Sequence, residues 1–411
     1  MPRFAFSAVV MSFLLLAACP PATGVELDAE LLGKSAGYPI GTPANWFFDE
    51  RVRVGSFSNL DKVLSHNVLP KSAIERALPN AAGVFNLTYQ FQNQTSDIER
   101  FLEHQRITGL LIIKDGRVLV ERYQYGRKAS DRFVSHSIAK SIVSLAVGFA
   151  LAEGKIASLD DKVAKYVTEL GGVPYGDASI RNTLRMSSGV KFNEVYDGKD
   201  DLARFAGLRR AQGSIAALRG FTIQETAAGS RFKYASSETV VLGTLIRAVT
   251  GETISRYLTT RLWQPMGAES DATWIKGADG LETASGSFNA VLRDYGRLGM
   301  LLADDGKVDG TQILPAAYLL EATDWHRQPE AFAPRRATPY FGYGYQFWTY
   351  PGERRRFALL GVYGQSIFVD PGLKLVMVIT AAAKNATVGK ETFAAERDAV
   401  WRGLVQKFGT W

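Results

Sequence analysis

Ser137 and Lys140 open a segment, Ser137 to Gly154, in which Ile138, Ala139, Ile142, Val143, Leu145, Ala146, Val147, Phe149, Ala150 and Leu151 occupy nearly every face of a helix. A helix that is apolar all round is a buried one. An ammonium inside it needs either a route to solvent or a use for a depressed pKa. The i,i+3 spacing puts both side chains on one face, so the pair has the form of a hydroxyl nucleophile with its base attached. The plain alternative is a serine that caps the helix and a lysine that snorkels outward. The tetrapeptide by itself does not choose between them.

Other schemes find less support. The chain has only four histidines, so a serine–histidine–acid triad has little to anchor it. His136 adjoins Ser137, but neighbouring residues at a helix start point in different directions. Gly33-Lys34-Ser35 looks like the end of a phosphate loop, yet Asp28 stands where its first glycine should be. No cluster has metal-ligand spacing, and no cofactor is implied.

Four segments in order carry a resemblance: Ser137-Ile-Ala-Lys140 after a strand hairpin, Leu184-Arg-Met-Ser-Ser-Gly189, Phe232-Lys-Tyr-Ala-Ser236, and Gly361-Val-Tyr-Gly-Gln-Ser-Ile-Phe-Val-Asp-Pro371. Together they resemble the class C type β-lactamase-related serine hydrolases, and within these the 6-aminohexanoate-dimer hydrolase and esterase branch, from roughly Phe101 to the C-terminus. The resemblance implies that Ser137 attacks a carbonyl, Lys140 takes its proton and Tyr234 passes a proton to the leaving group. It implies that Ser236 hydrogen-bonds within the site or to substrate. It further implies a close backbone approach at Gly361, with the amides of Ser137 and Val362 forming an oxyanion hole. The family's Lys-Thr-Gly or His-Thr-Gly falls on Leu359-Leu360-Gly361. Without that cation and hydroxyl a β-lactam carboxylate has no partner, which favours linear amides or esters as the small-molecule substrate. The rival readings are a penicillin-binding protein or β-lactamase, and a non-catalytic envelope lipoprotein that keeps the fold as a binding module.

The elements that must position these residues are partly visible. Ile107 to Ile113 and Val118 to Tyr123 read as strands joined at Asp115-Gly116. Ile156 to about Gly296 reads as a mainly α subdomain, with Arg293-Asp294 opening a structural helix and Asp294 as a local ion-pair partner. Phe341 to Trp348, Phe357 to Val362, Gln365 to Asp370 and Leu373 to Ala382 read as four strands, and Glu391 to about Phe408 as a closing helix. The expected fold is α+β: an antiparallel sheet flanked by helices plus a mainly α subdomain, of the β-lactamase and penicillin-binding transpeptidase type, with a cleft between. Tyr343, Tyr345, Trp348 and Tyr363 are candidates to line that cleft, and packing explains them equally well.

The 411 residues include 48 Lys and Arg interleaved with 41 Asp and Glu, so the net charge of +7 does not form a nucleic-acid patch. Arg354-Arg355-Arg356, the densest basic run, is expected to be a solvated turn. Arg3, the apolar run Val9 to Leu16, and Leu16-Ala17-Ala18-Cys19 have the layout of a lipoprotein signal peptide. The expected organisation is therefore a signal peptide over 1–18, a tether and N-terminal segment over 19–80, and a hydrolase domain over 81–411 with the α subdomain inserted at about 156–296. Cys19 would be the lipid attachment point of an exported protein facing the periplasm. Pro20 after it favours the outer membrane over the inner.

Overall fold

A computed structural model describes residues 26–411; Cys19 and the lipobox lie outside the described residues. Seven strands form the main sheet: β1 (Ile107–Lys114), β2 (Arg117–Tyr123), β3 (Gly342–Tyr343), β4 (Trp348–Thr349), β5 (Phe357–Leu360), β6 (Ser366–Asp370) and β7 (Leu375–Ala381). They lie in the order β3-β4-β5-β6-β7-β1-β2, with every pairing antiparallel. Asp115 and Gly116 both take left-handed backbone, φ 50° and 73°, which is the geometry of a tight hairpin turn.

Alternation along these strands divides the interior in two. Leu111, Ile113, Val369, Val376 and Val378 face helix α3 (Leu292–Ala303) and share one core with helix α1 (Ile138–Ala152) and helix α2 (Ser236–Thr250). Leu110, Ile112, Phe368, Met377 and Ile379 face Val400, Trp401 and Leu404 of helix α4 (Phe393–Phe408). Because helices cover both faces, β1 and β7 are buried almost throughout.

The region expected to be mainly α carries more sheet than its pattern suggests. Ala272–Ile275 and Phe288–Val291 are the inner strands of a second, four-stranded sheet, flanked by His66–Leu69 and Arg132–Val134. All residues of both inner strands are buried, so neither shows the alternation by which a half-exposed strand is recognised. The N-terminal segment thus supplies an edge strand, not only a tether. Phe341 to Trp348, expected as one strand, breaks into β3 and β4 around Gln346 at φ 66°. Arg356 corrects the expectation of a solvated turn. Its guanidinium is buried and donates to Asp370 at 2.6 Å across β5 and β6, while Arg355 pairs with Asp305.

Asp294 is an ion-pair partner as expected. It accepts from the N–H groups of Glu269 and Ser270 at 2.9 and 3.0 Å and from Arg297 at 2.8 Å, and Arg297 is fully buried. Arg297 would keep Glu269 at 2.9 Å and Glu75 at 3.0 Å, but the loss of Asp294 removes its closest carboxylate and leaves the N–H groups of Glu269 and Ser270 without their acceptor. Asp294→Ala is expected to cost about 3 kcal/mol, read as a lower denaturation midpoint with unchanged turnover per folded molecule.

Candidate active site

The second sheet delivers Ser137. Ser135 N–H donates to Phe288 O at 2.7 Å at the end of the Arg132–Val134 strand, and His136 then takes φ 42°, turning the chain into α1. Ser137 stands at the helix start without making a side-chain cap bond. Its hydroxyl is engaged by Lys140, whose Nζ donates to Ser137 Oγ at 2.9 Å and to Ser285 O at 2.7 Å. Lys140 is 1% exposed, so it does not snorkel. Burial brings its ammonium from 10.5 down to about 8, opposed in part by the negative charge of Glu194.

Tyr234 faces the same hydroxyl. Its phenol lies near the Ser137 hydroxyl, and the centre of its ring lies 5.1 Å from Lys140 Nζ. The ring stacks on Trp348 with centroids 5.6 Å apart and planes inclined by 23°. Burial, then the charge of Glu194, raises the phenol above its ordinary value of 10.0, so Tyr234 is a neutral O–H donor at physiological pH. The Leu184–Gly189 loop braces this segment from below. Met186 O accepts from Lys233 N–H at 2.9 Å, and Ser188 Oγ donates to Glu238 in the first turn of α2 at 2.5 Å.

Gly361 follows β5 against the nucleophile. A Cβ there would lie 2.5 Å from Ser135 O and 3.1 Å from Ser137 N, so only glycine allows the approach. Among the described residues the N–H groups of Ser137 and Val362 have no hydrogen-bond acceptor, and the close approach at Gly361 brings the chain that carries the second up to the start of the first. Gly361→Ala is expected to push β5 away from Ser137 and lower kcat about 100-fold, the loss typical of one oxyanion donor, in a steady-state ester assay.

The remaining candidates divide. Ser236 is buried and turned inward: its N–H and Oγ both donate to Glu194, at 2.6 and 2.8 Å, and it does not cap α2. It therefore hydrogen-bonds within the site instead of facing substrate. Trp348 is half-buried against Tyr234, and Tyr343, Tyr345 and Tyr363 are buried. His136 is enclosed by Trp46, Phe47, Phe57 and Tyr363, and burial lowers its imidazole to about 3, so it stays neutral. Glu194 is the site residue that sequence reasoning missed. It sits in a loop 42 residues before Ser236 and also accepts from Tyr196 Oη at 2.5 Å; a lone glutamate in a loop has no spacing by which to find it.

A buried amine holding a serine hydroxyl, with a phenol across from it and unpaired amides alongside, defines a serine acyl-transfer hydrolase. The β-lactamase family matches residues 95–400, and the chain belongs to it. It is 29% identical over 323 residues to the 6-aminohexanoate-dimer hydrolase of Paenarthrobacter ureafaciens, covering 76% of this chain and 82% of that one. A Bacillus anthracis structure provisionally classed as a 6-aminohexanoate-dimer hydrolase superimposes with TM-score 0.79 at 21% identity, covering 89% of this chain and 99% of that one. A hydrolase with promiscuous acyltransferase activity superimposes with TM-score 0.59 at 19% identity, over 74% of this chain and 96% of that one. The match to the Bacillus structure takes in more of the chain than the family match does, consistent with an N-terminal segment built into the fold.

Proposed function

We propose that the protein hydrolyses linear amides or esters, with Ser137 as nucleophile, Lys140 as its base and Tyr234 as the acid for the leaving group. The observation that carries this reading is the 2.9 Å contact between Lys140 Nζ and Ser137 Oγ inside an otherwise apolar helix. Neutral Lys140 takes the proton as Ser137 Oγ bonds to the carbonyl carbon, and the resulting oxyanion lies between the amides of Ser137 and Val362. Tyr234 protonates the departing nitrogen or oxygen as the bond to it breaks, and the Lys140 ammonium restores the tyrosine proton. Water then attacks the acyl-enzyme by the reverse of these transfers.

Leu359 is wholly buried and Leu360 half-buried, so β5 offers substrate neither a cation nor a hydroxyl at these positions. This supports a substrate without a carboxylate there, and the kinship with a 6-aminohexanoate-dimer hydrolase supports amide cleavage. A panel of p-nitroanilides, p-nitrophenyl esters and a penicillin tests the reading. Turnover of the linear substrates with no β-lactam opening is expected; a durable penicillin adduct on Ser137 instead would make this a penicillin-binding protein.

The base must be neutral to act, and its ammonium titrates at about 8. The expected kcat/KM therefore rises with pH through about 8 and levels above it, as measured in a pH profile with an uncharged ester. Export and lipid attachment at Cys19 belong to the same proposal, supported by Leu16-Ala17-Ala18-Cys19. Cys19→Ala is expected to release the protein from the membrane fraction of expressing cells.

A further inference from the structure

Trp46, Phe47 and Phe48 form an aromatic run that the chemistry above does not use, in a stretch that precedes the family match. The stretch is tightly folded. Asn45 Oδ1 accepts from Thr42 N–H at 2.7 Å, Trp46 N–H donates to Thr42 O at 3.0 Å, and Asp49 N–H donates to Asn45 O at 3.1 Å. Arg53, 2% exposed, pins it to the sheet domain. One guanidinium nitrogen donates to Phe48 O at 3.2 Å and another to Ala383 O at 2.8 Å, and the guanidinium lies 4.3 Å from the centre of the Tyr363 ring. The run is a fixed strap.

It touches the segments that flank Ser137 and Val362 as well as the loop that holds Glu194. Phe47 meets Tyr363 edge-on at 5.2 Å and Trp46 stacks on His136 at 6.2 Å, so one end rests on the residues next to Val362 and Ser137. Phe48 reaches that loop, where a Cβ on Gly198 would lie 3.7 Å from the tip of its ring. Gly198 belongs to the loop that carries Tyr196 and Glu194 to Ser236. Phe48 is nevertheless 55% exposed. A phenyl ring fixed between these segments by a buried arginine and left exposed presents apolar surface to a ligand that lies against it.

We propose that the Trp46–Phe48 strap is the specificity wall for the acyl part of the substrate and that it selects extended apolar acyl chains, with Phe48 covering the chain's far end. This rests on Ser137 being the nucleophile. The leaving group must lie where Tyr234 reaches it, beside Trp348, which pairs with Ala358 of β5. The strap lies past the end of β5, over Tyr363, so the acyl group is the part directed toward it. Each methylene buried under the strap is worth about fourfold in kcat/KM.

The test is a p-nitrophenyl ester series from acetate to octanoate, with the full-length protein, its Phe48→Ala and Phe48→Leu variants, and a matched acetate series of lengthening alcohols. Thermal midpoints confirm folding, and fluorophosphonate labelling of Ser137 is followed in parallel. Phe48→Ala is expected to lose about tenfold on octanoate and less than about twofold on acetate, Phe48→Leu to lose less on octanoate, and the alcohol series to stay unchanged. An unchanged acyl-length preference in a folded, Ser137-labelled Phe48→Ala protein overturns the proposal, as does an effect confined to the alcohol series. Failure of the unaltered protein to label at Ser137 would instead remove the nucleophile assignment on which the proposal stands.

Discussion

Ser137→Ala is expected to lose turnover on the order of 10⁶-fold in kcat, because a nucleophile and its proton-transfer partners act as one unit and the loss of the first disables the rest. The fold should be indifferent to the change. Ser137 makes no cap bond to α1, and Lys140 keeps its second acceptor, Ser285 O at 2.7 Å. The stability difference is expected to stay below about 1 kcal/mol, the net worth of one hydrogen bond. Steady-state hydrolysis and a denaturation curve on the same preparation check both halves. A variant that unfolds would say that the hydroxyl is structural, and a variant that still turns over would say that the chemistry lies elsewhere.

Lys140→Met is the second large effect, and activity and stability are expected to move in opposite directions. Removing a general base lowers kcat by about 10²–10⁴, and the limb of the pH profile near 8 disappears with it. Stability is expected to rise. The ammonium titrates at about 8 when folded and at 10.5 as an ordinary lysine. Below about 8 the buried group is charged and its full burial cost, about 3 kcal/mol, opposes folding. Between about 8 and 10.5 the unfolded chain holds more protons than the folded one, so the unaltered protein gains stability as pH rises. The Met variant lacks that gain because the cost is already gone, less the contribution of the two hydrogen bonds it gives up. Urea midpoints at pH 7 and pH 10 for both proteins read the difference directly.

Much of the scaffold was legible because its signals are local. Asp115-Gly116 between two apolar runs fixes the hairpin, and apolar residues on nearly every face from Ile138 to Leu151 mark the buried helix that holds Lys140. The inner strands Ala272–Ile275 and Phe288–Val291 were not legible, since burial on both faces erases the period of two. Arg356 read as solvated because its partner Asp370 is paired to it only by the register of β5 on β6. Ser137 and Lys140 could be singled out from spacing and polarity alone. Tyr234, Gly361 and Val362 needed a family resemblance, because their meeting with Ser137 depends on a fold that brings three distant segments together. Glu194 and the Trp46–Phe48 strap had neither kind of signal: each gains its meaning from contacts made far along the chain.

The most direct test of the central claim is intact-mass measurement of the purified protein after a fluorophosphonate, followed by peptide mapping. One adduct is expected, on Ser137, absent from Ser137→Ala and strongly slowed in Lys140→Met. A folded protein that takes no adduct, or takes it on another serine with Ser137 untouched, would contradict it.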